Sequence, residues 1–247
     1  MKPLSVIIPT LNEELYLPRL LESIVGASKN YNASIQVVVV DGDSDDQTVS
    51  VAKAFHERLF DLEVCSSRRG ISVQRNFGAR KAKFETIIFC DADMEFMQDS
   101  FAAIDAKLKN KDNFIAMPLI YPYDGKALDF ILGTIAYLYF FVVQRFSPVI
   151  SGMCILTSKT AHNRIGGFDE TIKYAEDIDY GLRAVKSGAK HYVFLGVRIR
   201  SSARRLDKDG RIKTGLTWLR WHRRARKGKE GLQNSGDDYE FGKFGKH

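Results

Sequence analysis

Short β-rich runs alternate with stretches of helical spacing over the first 108 residues, a rhythm that few folds accommodate. Leu4–Ile8 reads as a strand. Leu17, Leu20, Leu21 and Ile24 then recur at the helical interval, with Pro18 in the first turn, where its missing N–H does no harm. Ile35–Val40 is a continuous apolar run, as a strand covered on both faces requires. A helix through Val49, Ala52 and Phe55 follows, with Asp45 or Asp46 as its cap. Leu62–Cys65, Ser72–Lys83, Thr86–Cys90 and Phe101–Leu108 continue as strand, helix, strand and helix. This βαβαβαβ order predicts an α/β fold, with a mostly parallel central sheet and helices on both faces.

After residue 112 the rhythm changes. Strands are expected over Phe114–Ile120, Met153–Thr157 and His191–Arg200, and helices over Ser158–Ile165 and Glu176–Ser187. Between them lies the apolar segment Leu128–Phe146, in which Phe130–Val143 carries no charge. As a helix those residues span about 21 Å, short of a bilayer core about 30 Å thick. A core helix is the expected reading, with an in-plane membrane helix or a groove for a lipid chain as alternatives. The chain thus divides into 1–112, 113–200 and an extension, 201–247, expected to be mobile from about residue 230.

Ligands of open parallel sheets bind beyond the carboxyl ends of the strands. Three of those ends are informative here: Pro9-Thr10-Leu11-Asn12-Glu13, Asp41-Gly42-Asp43-Ser44-Asp45-Asp46 and Asp91-Ala92-Asp93. Asp91 and Asp93 share a face if the chain stays extended. Gathered carboxylates repel and lose hydration unless a cation offsets them. A hard divalent metal takes oxygen ligands, keeps waters and bridges phosphates. Aspartate also serves in turns and caps, but a second acidic strand end and a glycine in the 41–43 turn favour a metal that holds a phosphate.

SVIIPTLNEE (5–14), VVDGDSDDQT (39–48), QRNFGARKA (74–82), DAD (91–93), GGFDE (166–170) and EDIDYGLR (176–183) occur in an order that resembles family 2 glycosyltransferases of the GT-A fold. The likeness covers residues 4–200. It implies that 1–112 is the nucleotide-sugar half and 113–200 the acceptor half of one domain. It also implies a nucleotide-diphosphate sugar as donor and divalent Mg or Mn as cofactor. Pro9, Leu11 and Glu13 would line the base and ribose, and Asp41 would meet the base with Asp43 close by. Arg75 corresponds to the family's basic residue. Asp91, Ala92 and Asp93 would form the DXD element, with Asp93 as the direct metal ligand. The chain departs from the family at Gly42-Asp43, where many members read Asp-Gly.

Ile178, Leu182 and Val185 are spaced as the buried stripe of a helix. Glu176 and Asp177 then fall in its first turn, where the dipole favours carboxylates by about 0.3–1 kcal/mol. By the resemblance, Asp177 is the general base of an inverting transferase, with Glu176 beside the substrate. Gly166 and Gly167 suit a turn near the acceptor; Phe168 suits a packing anchor, and Asp169 either an acceptor contact or a turn stabiliser.

Net charge is +7, but residues 198–229 alone hold 13 Lys/Arg against Asp207 and Asp209. Arg204 and Arg205 are placed to reach a donor diphosphate if the tail folds over the site. RIKTGLTWLRWHRRARKGK (211–229) interleaves basic and apolar residues, which suits an anionic membrane surface better than nucleic acid. A polyprenyl phosphate, a lipid-linked glycan or a soluble glycoside all remain as acceptor. Met1-Lys2-Pro3 runs straight into a strand, so no leader is expected. Three cysteines without CxxC are expected in the core of a cytoplasmic protein, with the inner face of the cell membrane as the alternative setting. A sugar-phosphate nucleotidyltransferase would need a glycine-rich phosphate loop after the first strand, where PTLNEE stands. A nucleic-acid-binding protein would leave the acidic strand ends unexplained.

Overall fold

The computed structural model describes residues 1–59, 61–143 and 150–225, apart from the side chains of Leu128, Ala136, Phe140, Val143, Arg205, Ile212, Trp218, Leu219, His222 and Ala225. The elements are β1 (Leu4–Thr10), α1 (Leu17–Ser28), β2 (Ile35–Asp41), α2 (Thr48–Lys53), β3 (Leu62–Ser66), α3 (Ile71–Lys81), β4 (Thr86–Cys90), β5 (Met94–Phe96), α4 (Ser100–Leu108), β6 (Phe114–Pro122), α5 (Ala127–Val143), β7 (Cys154–Ser158), α6 (Lys159–Arg164), α7 (Glu176–Lys186), β8 (Lys190–Ser201), α8 (Arg204–Asp209) and α9 (Arg211–Ala225). The strands form one sheet in the order β3-β2-β1-β4-β7-β6-β8-β5. The β3-β2-β1-β4 portion is parallel, as is the β6-β8 pair. β7 runs antiparallel to both β4 and β6, and β5 antiparallel to β8.

Alternation along the strands sends side chains to two cores. Leu4, Val6, Ile8, Val37 and Val39 face α1 and α4. Ile7, Val38, Val40, Ile87 and Phe89 face the side of α3, α6 and α7. Every residue of β1 is buried, because helices cover both faces.

α3 has an unusual inner face: Ser72, Gln74, Arg75, Asn76, Gly78 and Ala79 are its buried residues. Gly78 explains how it sits so close. A Cβ there would lie 2.2 Å from Ile7 Cγ2 of β1. Gly78→Ala gains helix propensity, at most about 1 kcal/mol, but overpacking costs about 1–3 kcal/mol. Overlap at 2.2 Å lies at the costly end, so thermal unfolding is expected to shift to lower temperature; an unchanged or raised Tm would show that α3 has room to move.

Several expectations need correction. α2 ends at Lys53 rather than running through Phe55, though Asp46 does hold its start, with Oδ1 accepting the Thr48 N–H at 2.9 Å. The strand β5 was not foreseen. The core-helix reading of 128–146 fails over its described part: α5 is a helix, but it lies on the surface with most of its described large apolar side chains exposed, and 144–146 lie outside the described residues. In α7 the buried residues are Tyr180, Gly181 and Ala184, not Ile178, Leu182 and Val185. The reason is that α7 packs on two sides. Val185 leans on the sheet-side core, whereas Ile178 and Leu182 meet a small cluster around Trp221 of α9. Cys90 and Cys154 are buried, and Cys65 is half-buried. The stretch from 230 lies outside the described residues.

Candidate active site

The strand ends converge where expected, but each is held by a specific partner. At the end of β2, Asp41 is 3% exposed. Its Oδ2 accepts the Ser44 N–H at 2.9 Å, and its Oδ1 accepts the Ser44 and Thr10 hydroxyls. Asp41 thus fixes the turn that follows it. Asp43, with φ 68, is exposed, and its carbonyl accepts from Arg69 Nη2 at 3.0 Å. Asn12, with φ 56, ties this loop to the end of β1 by accepting the Asp45 N–H at 2.8 Å. Pro9 and Leu11 are buried beside it.

Three consecutive residues of α3 organise the region, because successive helical side chains point about 100° apart. Gln74 Nε2 donates to Thr10 O and Val40 O at 2.7 and 2.8 Å, joining the ends of β1 and β2. Arg75, 1% exposed, donates to Asp91 Oδ1 and Glu176 Oε1, both at 2.9 Å, and to Gly152 O at 2.8 Å. Asn76 Nδ2 donates to Phe168 O at 2.9 Å, and its Oδ1 accepts the Phe168 N–H at 2.8 Å. That pins the turn in which Gly166 and Gly167 adopt φ 72 and 78. Phe168 is a packing residue, stacked on Tyr180 with centroids 4.1 Å apart. Asp169 Oδ1 accepts the Thr171 N–H and hydroxyl at 2.9 and 2.7 Å, which stabilises the turn.

The chain turns at Ala92 and Asp93 instead of staying extended, so Asp91 and Asp93 do not share a strand face. Each carboxylate meets its own arginine: Asp91 meets Arg75, and Asp93 Oδ2 lies 2.9 Å from Arg204 Nε. Arg204 also donates to both oxygens of Glu13, at 3.0 and 2.8 Å, and its guanidinium covers the Tyr16 ring at 4.3 Å. One guanidinium therefore stands between two carboxylates, one following β1 and one following β4. Burial raises the pKa of Glu13, Asp91 and Asp93, and the paired arginines pull each back down. The Arg205 side chain falls outside the described residues.

Asp177 sits at the start of α7, after Ala175, whose left-handed φ of 56 is strained for alanine. Its Oδ2 accepts the Gly152 N–H at 2.6 Å. Burial is the main cause that pushes its pKa up to about 7; Glu176 adds repulsion and Arg75 opposes both. A carboxylate poised near neutrality, within the field of Arg75, the partner of Asp91, is equipped to take a proton.

The donor chemistry fits a hard divalent cation. Asp91 and Asp93 offer only oxygen, and the guanidinium at Asp93 shows that this carboxylate takes up a positive charge. Among the described residues no group of three or more His, Cys, Asp or Glu could enclose a metal. Phosphate and water would complete its coordination, as magnesium and manganese allow. Gln74, Asn76, Gly152 and Tyr16 were not singled out from sequence. Gln74 and Asn76 flank Arg75 in QRNFGARKA, so a search around that residue would have found them.

A family sequence model described as Glycosyl transferase family 2 matches residues 5–166. The poly(ribitol-phosphate) β-N-acetylglucosaminyltransferase TarS of Staphylococcus aureus is 34% identical over 113 residues, covering 42% of this chain and 19% of TarS. The minor teichoic acid biosynthesis protein GgaB of Bacillus subtilis is 29% identical over 122 residues, 47% of this chain and 13% of GgaB. The chain thus spans less than a fifth of the length of these curated relatives. Among solved structures, S. aureus TarS 1–349 with UDP-GlcNAc superimposes with a TM-score of 0.64 at 22% identity, over 82% of this chain and 58% of that one. The mannosyltransferase PcManGT of Pyrobaculum calidifontis, with GDP-Man and Mn2+, gives 0.65 at 21% identity, over 88% and 64%. At such identity these structures show the shared GT-A fold.

Proposed function

The chain belongs to glycosyl transferase family 2, and from that premise we propose that it is an inverting glycosyltransferase. It would move a sugar from a nucleotide-diphosphate donor to an acceptor hydroxyl. The observation that carries this reading is the convergence of Glu13, Asp91, Asp93, Glu176 and Asp177 on two arginines, Arg75 and Arg204. So many carboxylates gathered beyond the ends of β1 and β4 and at the start of α7 suit a site that uses a cation, not one that binds a bare anion.

The roles follow from position. Pro9, Leu11 and Glu13 line the base and ribose, and Asp41 shapes the nucleotide-facing turn, with Asp43 exposed at its tip. Asp93 and Asp91 would hold Mg or Mn, while Ala92 between them packs into the core. When bound, such a cation neutralises the leaving diphosphate as a Lewis acid. A cation held at Asp93 would compete with Arg204 for that carboxylate and leave its guanidinium to the diphosphate, the role also proposed for Arg205. Arg75 holds Asp91 and Glu176 in place. Asp177 takes the proton of the acceptor hydroxyl as its oxygen attacks the anomeric carbon, and the single displacement inverts configuration. Asp169 would meet the acceptor from the turn that it also stabilises through Thr171.

UDP-GlcNAc and GDP-Man accompany relatives of this fold, so both belong in the first donor screen. A lipid-linked acceptor, met at the inner face of the cell membrane, is favoured by the exposed apolar surface of α5. Incubating the protein with nucleotide sugars, Mn2+ and polyprenyl phosphate, with the product anomer assigned by NMR, tests the reading. Metal-dependent release of nucleoside diphosphate with an inverted product supports it. A retained anomer, or no turnover of any donor, counts against it.

A further inference from the structure

Among its described residues, α5 turns one stripe inward, and the Phe130 ring at its side also stacks near Tyr121 of β6. Asp129, Gly133 and Tyr137, at i, i+4 and i+8, are its least exposed described positions. Asp129 is clamped by Arg211, whose Nη2 donates to Oδ2 at 2.7 Å. The Tyr137 hydroxyl accepts the Ile120 N–H of β6 at 2.6 Å. Facing away from that stripe, Ile131, Leu132, Ile135, Leu138, Tyr139 and Val142 are 45–60% exposed. No charged residue follows Asp129 within the helix. A contiguous apolar surface of this kind on a helix marks an interaction site.

The second observation is the charge beside it. α9 starts at the same clamp, since Arg211 is its first residue. Lys213, Leu216, Arg220 and Arg223 of α9 are exposed at helical spacing, whereas Trp221 turns inward to stack on Tyr174. An apolar helix tied to a basic one matches the two parts of an anionic bilayer surface, acyl chains and charged headgroups. At 17 residues, α5 is about 26 Å long, and among the described residues no helix is long and apolar enough to cross a membrane. Its inner stripe is also held along the protein surface, which requires it to lie flat.

We propose that α5 lies in the headgroup–acyl boundary of an anionic phospholipid bilayer, with the basic stripe of α9 against the headgroups. This deepens the transferase reading by naming the surface on which the protein works. Its test reads lipid binding and not turnover, so either can fail alone.

The experiment is co-sedimentation of the full chain with vesicles of phosphatidylcholine, with and without phosphatidylglycerol. The native protein is expected to bind the anionic vesicles and to release as salt rises. The double variant Ile135→Asp, Leu138→Asp is expected to lower partitioning by about tenfold or more. Both sites are exposed, so its Tm should be unchanged. Lys213→Glu with Arg223→Glu should abolish the preference for anionic lipid while leaving the apolar contribution. Failure of the native chain to bind anionic vesicles at low salt would overturn the proposal. So would equal binding by the α5 variant, or a native dimer in ultracentrifugation that the α5 variant dissociates without any lipid binding.

Discussion

Replacing Asp177 by asparagine is expected to slow transfer by about 10²–10⁴-fold, the usual contribution of a positioned general base. Donor affinity should stay near native, because the Asp177 carboxylate bonds the backbone of Gly152 and not the strand ends where the donor is proposed to lie. The pH profile separates this role from a structural one. A base must be ionised, and burial holds Asp177 protonated up to about pH 7. Activity of the native chain should therefore fall about tenfold per unit below that pH, while the residual activity of the variant stays flat. The stability sign is the reverse. A carboxylate whose folded pKa is raised favours folding while protonated and loses that contribution as pH rises through the folded value. Asp177→Asn should accordingly melt no lower than the native chain at pH 8. A variant with near-native turnover and the same acid limb would remove Asp177 from the chemistry. A phosphate acceptor, being anionic already, would be recognised by a profile with no acid limb in either protein.

Arg75→Met is expected to produce the largest loss of stability. Arg75 is 1% exposed and is the shared partner of Asp91 and Glu176, at 2.9 Å each. Methionine fills much of the volume but leaves two carboxylates without their cation, and removing one member of a buried ionic group costs about 3–5 kcal/mol. At roughly 2–4 °C per kcal/mol for a chain of this size, thermal unfolding will report it clearly. The loss should shrink as pH falls from neutrality, because protonation relieves the stranded carboxylates. A pH-independent loss would point to packing against Phe168, whose ring centroid lies 5.3 Å from the guanidinium.

The parallel half of the sheet and its acidic ends were legible because both depend on local pattern. Buried parallel strands must read as apolar runs, and the residues that end them must be polar. Pairing over long distances was not legible. Arg75 finds Glu176 101 residues away, and Arg204 finds Glu13 191 residues away. Nothing in the spacing of either arginine marks its partner. β5, with three residues, is too short to show alternation and exists because β8 pairs with it. The apolar run in α5 was plain, but a helix apolar round most of its circumference has no period that says which side is covered. Among the described residues of α5, it is Asp129, Gly133 and Tyr137, four apart, that turn inward. The face-sharing expected of Asp91 and Asp93 assumed an extended chain, and the turn at Ala92 redirects the second carboxylate to Arg204.

Everything proposed for this site requires positive charge at Asp93 before an anionic leaving group can be held there. Calorimetric titration with UDP and with GDP, each with and without Mn2+, on the native chain and on Asp93→Asn, addresses that requirement directly. Nucleotide should bind the native chain only when Mn2+ is present, and Asp93→Asn should bind it weakly under both conditions. Equal affinity with and without metal, unchanged by Asp93→Asn, would contradict the account.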